Sequence, residues 1–183
     1  MLLVSFAIPT YAQTPLQVGD NAPLFTGTTD EGVAWNLEDH LENQYLVVYF
    51  YPAAMTGGCT AQACTYRDSQ GDLREAGAMV VGISGDNAEG LKLFRKAHDL
   101  NFTLLADEEG SIAEKFGVPT REGGTISREL GGAFYDLYRG VTASRWTFII
   151  SPEGKIVYKN EDVNASSDTE QVLTFIKKHK ASR

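Results

Sequence analysis

Residues 45–52 read YLVVYFYP, a near-continuous run of aromatic and β-branched residues that ends at a proline. Such a run is typical of a strand buried on both faces of a parallel sheet. Ahead of this run, the sequence predicts a turn at 30–32. After it, the patterns predict helices at 61–76, 87–98, 111–116 and 168–180, with Ser111 as the cap of the third. They also predict strands at 78–84, 102–105, 145–150 and 155–159. This order predicts an α/β domain with a central mixed sheet and helices on both faces.

Residues 118–144 interrupt the alternation of strands and helices. They contain Pro119, two Gly-Gly pairs and the aromatic cluster Phe134, Tyr135 and Tyr138. We interpret them as a long excursion from one domain and not as a linker between two, because the regular pattern resumes directly afterwards.

Length and charge exclude several classes of protein. The 183 residues, 43% of them hydrophobic, fit one globular domain. The net charge of −8 repels a phosphate backbone and an anionic membrane, so we expect neither nucleic acid nor a membrane as a partner. No apolar run after residue 20 approaches the roughly 20 residues that a membrane-spanning helix needs.

The N-terminal segment, residues 1–12, reads MLLVSFAIPTYA and carries no charged side chain. Its mostly apolar run at 2–8 and the segment Thr10-Tyr11-Ala12, which resembles a cleavage site of small residues, predict a secretory signal peptide, a mature domain at 13–183 and export, in a bacterium to the periplasm. The usual basic n-region is missing, which a start site placed too late would explain. The alternative is an apolar tail or an edge strand of a cytoplasmic protein.

Two cysteines, Cys59 and Cys64, follow the central strand at the start of the first long helix. A thiol in the first turn of a helix faces unpaired N–H groups and the positive end of the helix dipole, which favours the thiolate. The thiolate is the nucleophilic form of cysteine. The position therefore predicts a reactive cysteine instead of a small buried apolar residue.

The spacing of the two cysteines limits what they can do. Five residues along a helix correspond to a rise of about 7.5 Å and place the two sulfurs on different faces. A disulfide needs Cα atoms within roughly 7 Å, so the helix has to unwind before the two sulfurs can bond. The pair is better suited to a cycle between two conformations than to a permanent crosslink.

The loop ahead of Cys59 has the pattern P-x-x-x-T-x-x-C over residues 52–59. Pro52 can end the strand and direct the loop. Thr56 offers a hydroxyl that both donates and accepts, and Gly57 and Gly58 let backbone N–H groups approach a small molecule.

With these residues the sequence resembles the peroxiredoxins, within them the bacterioferritin comigratory protein or PrxQ subgroup. The matching segments are Ala22-Pro23-x-Phe25, Phe50-Tyr51-Pro52, Thr56-Gly57-Gly58-Cys59-Thr60, Ala63-Cys64-x-Tyr66-Arg67-Asp68 and Arg145-Trp146-Thr147-Phe148. The resemblance implies a thioredoxin-like fold and reduction of hydroperoxides without metal, haem or flavin.

The resemblance also implies a role for each of five residues. Cys59 would be the peroxidatic cysteine and Cys64 the resolving one, while Thr56 would hydrogen-bond the peroxide. Pro52 would shield the sulfur, and Arg145 would stabilise the thiolate and polarise the O–O bond. The Cys59 sulfenic acid would condense with Cys64, and thioredoxin or a similar dithiol would reduce the disulfide. We expect a monomer or weak dimer.

Two features leave alternatives open. The family usually has proline where Gly57 stands, which predicts a more mobile loop. Arg67 and Arg121 are alternative guanidinium groups; Arg145 is preferred for its R-x-T-F context, although it could instead form a surface ion pair.

Three other functions compete with this one. An exported thiol-disulfide oxidoreductase of thioredoxin-like fold would carry W-C-x-x-C, which this chain lacks. A copper- or zinc-binding module would use the cysteines together with the histidines, but His40, His98 and His179 lie far apart and none is near the cysteines in the sequence. A non-catalytic domain with a permanent disulfide is opposed by the helical spacing.

Overall fold

The structure is a computed structural model and describes residues 16–41 and 43–182, so the predicted signal segment lies outside the described residues. Its strands are β1 (Thr26–Thr29), β2 (Ala34–Asn36), β3 (Tyr45–Phe50), β4 (Ala78–Ser84), β5 (Thr103–Ala106), β6 (Thr120–Leu130), β7 (Ala133–Ala143), β8 (Trp146–Ile150) and β9 (Ile156–Asn160). Its α-helices are α1 (Gly57–Asp68), α2 (Gln70–Glu75), α3 (Ala88–His98), α4 (Ser111–Phe116) and α5 (Asp168–Ala181). No helix within these ranges is long and apolar enough to cross a membrane.

Seven strands form one mixed sheet in the order β2-β1-β5-β4-β3-β8-β9. The pairs β3–β4 and β4–β5 are parallel, and the other pairs are antiparallel. The predicted α/β architecture with a mixed sheet is therefore confirmed.

The central strand β3 separates two hydrophobic cores. The side chains at 45, 47 and 49 pack with residues of α1, α2, α3 and α5, and those at 46, 48 and 50 pack with α4 and the first strands. Since both faces are covered, every residue of β3 is buried. This explains why the sequence shows an unbroken apolar run instead of alternation.

The first predicted helix differs from the observed one in two ways. It begins at Gly57 and not at residue 61, and it stops at Asp68, with Ser69 separating α1 from α2. Glycines are poor helix formers, but Gly57 and Gly58 lie in the first turn, where N–H groups need no intrahelical acceptor. Cys59 therefore lies inside the helix.

The cap of α4 was also wrongly predicted. Asp107, and not Ser111, caps this helix: its two carboxylate oxygens accept from the N–H groups of Ile112 and Ala113 at 2.9 and 2.8 Å. Ser111 is the first residue of the helix and donates to the same carboxylate.

Residues 118–144 are predicted to be a long excursion from the domain. In the structure they contain a two-stranded antiparallel hairpin, β6 and β7. Gly131 and Gly132 form its turn, with φ of 60° and 84°. Positive φ at both central residues is typical of a two-residue hairpin turn and favours glycine at both positions. Most side chains of both strands are at least partly exposed, so the apolar alternation that marks a half-buried strand is missing from the sequence.

The hairpin is attached to the carboxyl end of β4. Gly140 N–H donates to Gly85 O at 2.9 Å, and Asn87 N–H donates to Tyr138 O at 3.1 Å. A Cβ atom on Gly85 would lie 2.0 Å from Val141 O, so only glycine allows this approach. The hairpin thus lies beside the loop that follows β3.

Candidate active site

The candidate site lies where the carboxyl end of β3 meets the N-terminus of α1. Cys59 is the third residue of α1, and its side chain is 2% exposed. The N–H groups of the first three helical residues have no intrahelical acceptor, so the thiol lies at the positive end of the helix. Both Cys59 and Cys64 are free thiols.

Arg145 contacts the sulfur directly. Its Nη2 donates to Cys59 Sγ at 3.3 Å, and its Nη1 donates to Gln62 Oε1 at 2.6 Å. Arg145 directly precedes β8, and the pairing of Trp146 with Phe50 brings it to the end of β3. Of the three candidate guanidinium groups, the structure therefore brings Arg145 to the cysteine and does not leave it in a surface ion pair.

The other two arginines lie elsewhere. Arg67 forms an ion pair with Asp68 at 2.8 Å and donates to His98 O. Arg121 lines a cavity of about 310 Å³ with Pro52 and the base of the hairpin. Pro52 thus lies at the wall of a space that opens beside the candidate site.

Thr56 directly precedes α1 and has an extended backbone. Its Oγ1 donates to Ala53 O at 2.8 Å and does not cap the helix. Because the hydroxyl hydrogen is engaged with the backbone, the oxygen lone pairs remain to accept a hydrogen bond from a small molecule.

Cys64 lies on the same helix and is partly exposed. Since α1 is continuous from Gly57 to Asp68, the two cysteines are separated along its axis by about 7.5 Å and face different directions. The continuous helix thus keeps the two sulfurs apart, as the spacing in the sequence predicts.

A buried polar network supports Arg145, and the sequence analysis missed it. Gln62 is fully buried, and its Nε2 donates to Asp168 Oδ2 at 2.7 Å. The same oxygen accepts from Tyr66 OH at 2.7 Å and from Thr147 Oγ1 at 2.9 Å. Gln62 could have been found, because residues three apart on a helix share a face. Asp168 begins α5, and no local pattern connects it with the cysteine.

The loop between β3 and α1 is held by two further groups that the sequence analysis missed. Ala54 N–H donates to Asp86 Oδ2 at 2.8 Å, and Arg128 Nε of the hairpin donates to Met55 O at 3.1 Å. Met55 has a φ of 60°, a conformation that a non-glycine residue adopts only when its surroundings impose it. These contacts fix the loop at the third and second residues before the helix begins.

Asp86 is itself fully buried and faces the hairpin. Its Oδ1 lies 3.8 Å from Arg139 Nη1, and Ser84 Oγ donates to its Oδ2 at 2.8 Å. Burial raises the pKa of this carboxyl, while the bonds from Ala54 and Ser84 and the charge of Arg139 act in the opposite direction.

The floor of the site consists of stacked tyrosines. Ring centroids of Tyr49 lie 4.8 Å from Tyr66 and 5.4 Å from Tyr51. Burial raises the pKa of Tyr49 well above its ordinary value, and the neighbouring Cys59 and Asp168 raise it further. The tyrosines therefore stay neutral, and they belong to the same buried cluster as Cys59.

The three histidines each have a structural contact away from the cysteines. The His40 ring stacks on Trp35, the His98 ring lies edge-on to Phe94, and His179 Nδ1 is 2.8 Å from Tyr45 OH. The described part of the chain contains no cluster of three or more His, Cys, Asp or Glu side chains that could hold a metal ion.

Comparison with known proteins finds related sequences along most of the chain. A model of the AhpC/TSA family matches residues 18–159. The chain is 41% identical to peroxiredoxin Bcp of Escherichia coli over 165 residues, which cover 90% of this chain and 98% of the relative. It is 39% identical to the chloroplastic peroxiredoxin Q of Sedum lineare over 145 residues, 78% of this chain and 69% of that protein.

Solved structures show the same fold. The crystal structure of peroxidoxin BcpB from Mycobacterium tuberculosis superposes with a TM-score of 0.74 at 28% identity, over 88% of this chain and 97% of that one. A PrxQ mutant from Xylella fastidiosa superposes with a TM-score of 0.75 at 22% identity, over 91% and 99%, and this likeness bears on the fold alone. The predicted thioredoxin-like fold is confirmed.

Proposed function

The chain belongs to the peroxiredoxins of the AhpC/TSA family and is therefore a thiol-dependent peroxidase; from this premise we propose that Cys59 is the residue that attacks the peroxide. The observation that carries the proposal is the 3.3 Å contact between Arg145 Nη2 and Cys59 Sγ at the N-terminus of α1. A guanidinium group and a helix N-terminus both favour negative charge on the sulfur.

In the first step the Cys59 thiolate attacks one peroxide oxygen. An S–O bond forms, the O–O bond breaks, and the leaving hydroxide or alkoxide takes a proton from solvent. Cys59 becomes a sulfenic acid, and the peroxide becomes water or an alcohol. Arg145 N–H groups can stabilise the charge that develops on the leaving oxygen, and Thr56 Oγ1 can accept a hydrogen bond from the peroxide O–H.

In the second step Cys64 attacks the sulfur of the sulfenic acid. An S–S bond forms and water leaves. The intact helix keeps the two sulfurs apart, so this step requires the first turns of α1 to unwind. An external dithiol such as thioredoxin then reduces the disulfide by exchange, which returns both thiols.

We also propose that the protein works after export and as a monomer or weak dimer. The support for export is the uncharged apolar segment 1–12, which lies ahead of the family match that begins at residue 18. Mass spectrometry of the mature N-terminus tests this: a chain that begins at Gln13 supports export, and one that begins at Met1 contradicts it.

The net charge of −8 supports the absence of a nucleic acid partner.

The proposed chemistry is tested by the consumption of hydrogen peroxide and of an organic hydroperoxide with a thioredoxin system. We expect Cys59→Ser to abolish consumption, because the nucleophile is lost. We expect Cys64→Ser to consume about one equivalent per chain and then to accumulate sulfenic acid. Equal consumption by both variants and the wild type would contradict the proposal, and insulin reduction without peroxide consumption would favour a thiol-disulfide oxidoreductase.

A further inference from the structure

Asp168 is a buried carboxylate that the peroxidase chemistry described above does not use. It is the first residue of α5 and is 1% exposed. Its Oδ2 accepts three hydrogen bonds, while its Oδ1 is buried without a hydrogen-bond partner. Burying a carboxylate without a cation costs free energy, so we expect the hydrogen bonds of Asp168 to serve a function.

One of its contacts leads to the reacting sulfur through a single side chain. Asp168 Oδ2 accepts from Gln62 Nε2 at 2.7 Å, and Gln62 Oε1 accepts from Arg145 Nη1 at 2.6 Å. An ionised carboxylate can only accept, and a guanidinium can only donate. The Gln62 amide therefore has one orientation that satisfies both, and this orientation holds Arg145 with its Nη2 at Cys59.

The same contact joins α1 to α5 at the segment that has to move. Gln62 lies between Cys59 and Cys64 in the helix, so unwinding that segment displaces it from both Asp168 and Arg145. Tyr66, another donor to Asp168, lies two residues beyond Cys64. Asp168 Oδ2 keeps its two donors from α1, Gln62 and Tyr66, only while the helix is intact.

Resting on the proposed function, we propose that Asp168 is a positioning residue that acts through Gln62: it aligns Arg145 with Cys59 and holds α1 in its folded form until the sulfur is oxidised. Two opposite kinetic effects follow. Removing the carboxylate should slow the attack on peroxide, because Arg145 loses its alignment. It should also speed the formation of the disulfide, because α1 unwinds more readily.

The variants that test this are Asp168→Ala, Asp168→Asn and the control Thr169→Val. Asparagine keeps an acceptor oxygen but removes the charge, and charge-assisted hydrogen bonds are about twice as strong as neutral ones. Thr169 is the next residue of α5, and its Oγ1 is 2.9 Å from Thr65 Oγ1 of α1. Its replacement removes a contact between the same two helices without touching Gln62 or Arg145.

Rapid quench and mass spectrometry separate the two steps. Sulfenic acid formation is measured with each substitution combined with Cys64→Ser, and disulfide formation is measured with both cysteines present. We expect Asp168→Ala to slow the attack about tenfold, the size expected for the loss of one hydrogen bond to a charged group. We expect Asp168→Asn to slow the attack about threefold, and both to speed disulfide formation; Thr169→Val should change the attack less than about twofold.

The results that overturn the proposal are specific. An attack rate for Asp168→Ala within about twofold of that for Thr169→Val, or a disulfide step that slows together with the attack, would show a merely structural role. If Asp168→Ala does not fold, Asp168→Asn decides: wild-type rates in both steps overturn the proposal. Failure of the proposed function is recognised separately, because the Cys64→Ser variant with Asp168 unchanged would then form no Cys59 sulfenic acid.

A double-mutant cycle gives an independent readout. Gln62→Met removes the side-chain amide that links Asp168 to Arg145, while keeping a side chain of similar length. Because Asp168 is proposed to act through Gln62, the combined variant should attack peroxide no more slowly than Gln62→Met alone. Independent, multiplying effects of the two substitutions would contradict the relay.

Discussion

Gly57 is the first residue of α1, at the position where the peroxiredoxin motif that this sequence resembles has proline. Nothing in the structure requires glycine there. Its φ is not positive, a Cβ atom would meet no atom within 4 Å, and Thr56 before it is extended, as a residue that precedes proline prefers to be. The first helical position also lacks an acceptor for its N–H, so proline would lose no hydrogen bond.

We therefore expect Gly57→Pro to raise the free energy of unfolding by about 0.5–1 kcal/mol, because the fixed φ reduces the entropy of the unfolded chain. Urea denaturation of the wild type, Gly57→Pro and the control Gly57→Ala measures this, with alanine expected to give part of the gain. A proline variant less stable than the wild type would show that the loop needs the freedom of glycine.

At the level of single residues, members of the candidate site could be proposed from the sequence where they share a short motif. Pro52, Thr56, Cys59 and Cys64 lie within thirteen positions of one another, and the strand pairing of Trp146 with Phe50 brings Arg145 to them. Asp86, Arg128 and Asp168 could not be predicted in the same way, because they meet this loop and helix only through the tertiary fold. No spacing in the sequence connects them with Cys59.

Among the elements, the β6–β7 hairpin has the clearest connection with the site. Arg128 holds the carbonyl of Met55, and Arg139 faces Asp86, which in turn holds the N–H of Ala54. The hairpin is thus joined to the loop at two successive residues. These contacts restrain the loop directly ahead of α1, while the glycines at 57 and 58 lie in the first turn of the helix and not in the loop that the sequence predicts to be more mobile.

The buried Asp86 predicts a definite dependence of stability on pH. Burial raises the pKa of this carboxyl, so the folded chain takes up its proton at a higher pH than the unfolded chain. Folding is therefore favoured as the pH falls from above the raised pKa toward the unfolded value of about 3.9. Asp86→Asn lacks this proton uptake but keeps an acceptor oxygen.

We expect the free energy of unfolding of the wild type, relative to Asp86→Asn, to increase as the pH falls from neutral toward about 4. Urea denaturation of the two proteins at a series of pH values measures the difference. A difference that stays constant, or that decreases as the pH falls, would contradict the raised pKa.

On the scale of the whole molecule, the architecture followed from hydrophobic periodicity. The strands at 45–51 and 78–84 and the helix at 87–98 have strong patterns because each packs against a covered core. The hairpin has mostly exposed strands, so it left no comparable pattern. The break at Ser69 was missed because both helical segments that flank it have good helix formers.

This architecture fits one proposed conformational cycle. In the reduced chain, α1 keeps Cys59 beside Arg145 and apart from Cys64, which favours the attack on peroxide and prevents the disulfide. After oxidation, the disulfide requires that the same helix unwind and release Gln62 from Arg145 and Asp168.

The most direct measurement is peptide mapping under non-reducing conditions after the fully reduced chain has received one equivalent of hydrogen peroxide. After the peroxide has reacted and before digestion, the remaining free thiols are alkylated, so that no new disulfide forms during the digestion. We expect a single intramolecular disulfide between residues 59 and 64 and the disappearance of both alkylated cysteines. Two cysteines that are still alkylated after the peroxide has been added would contradict it.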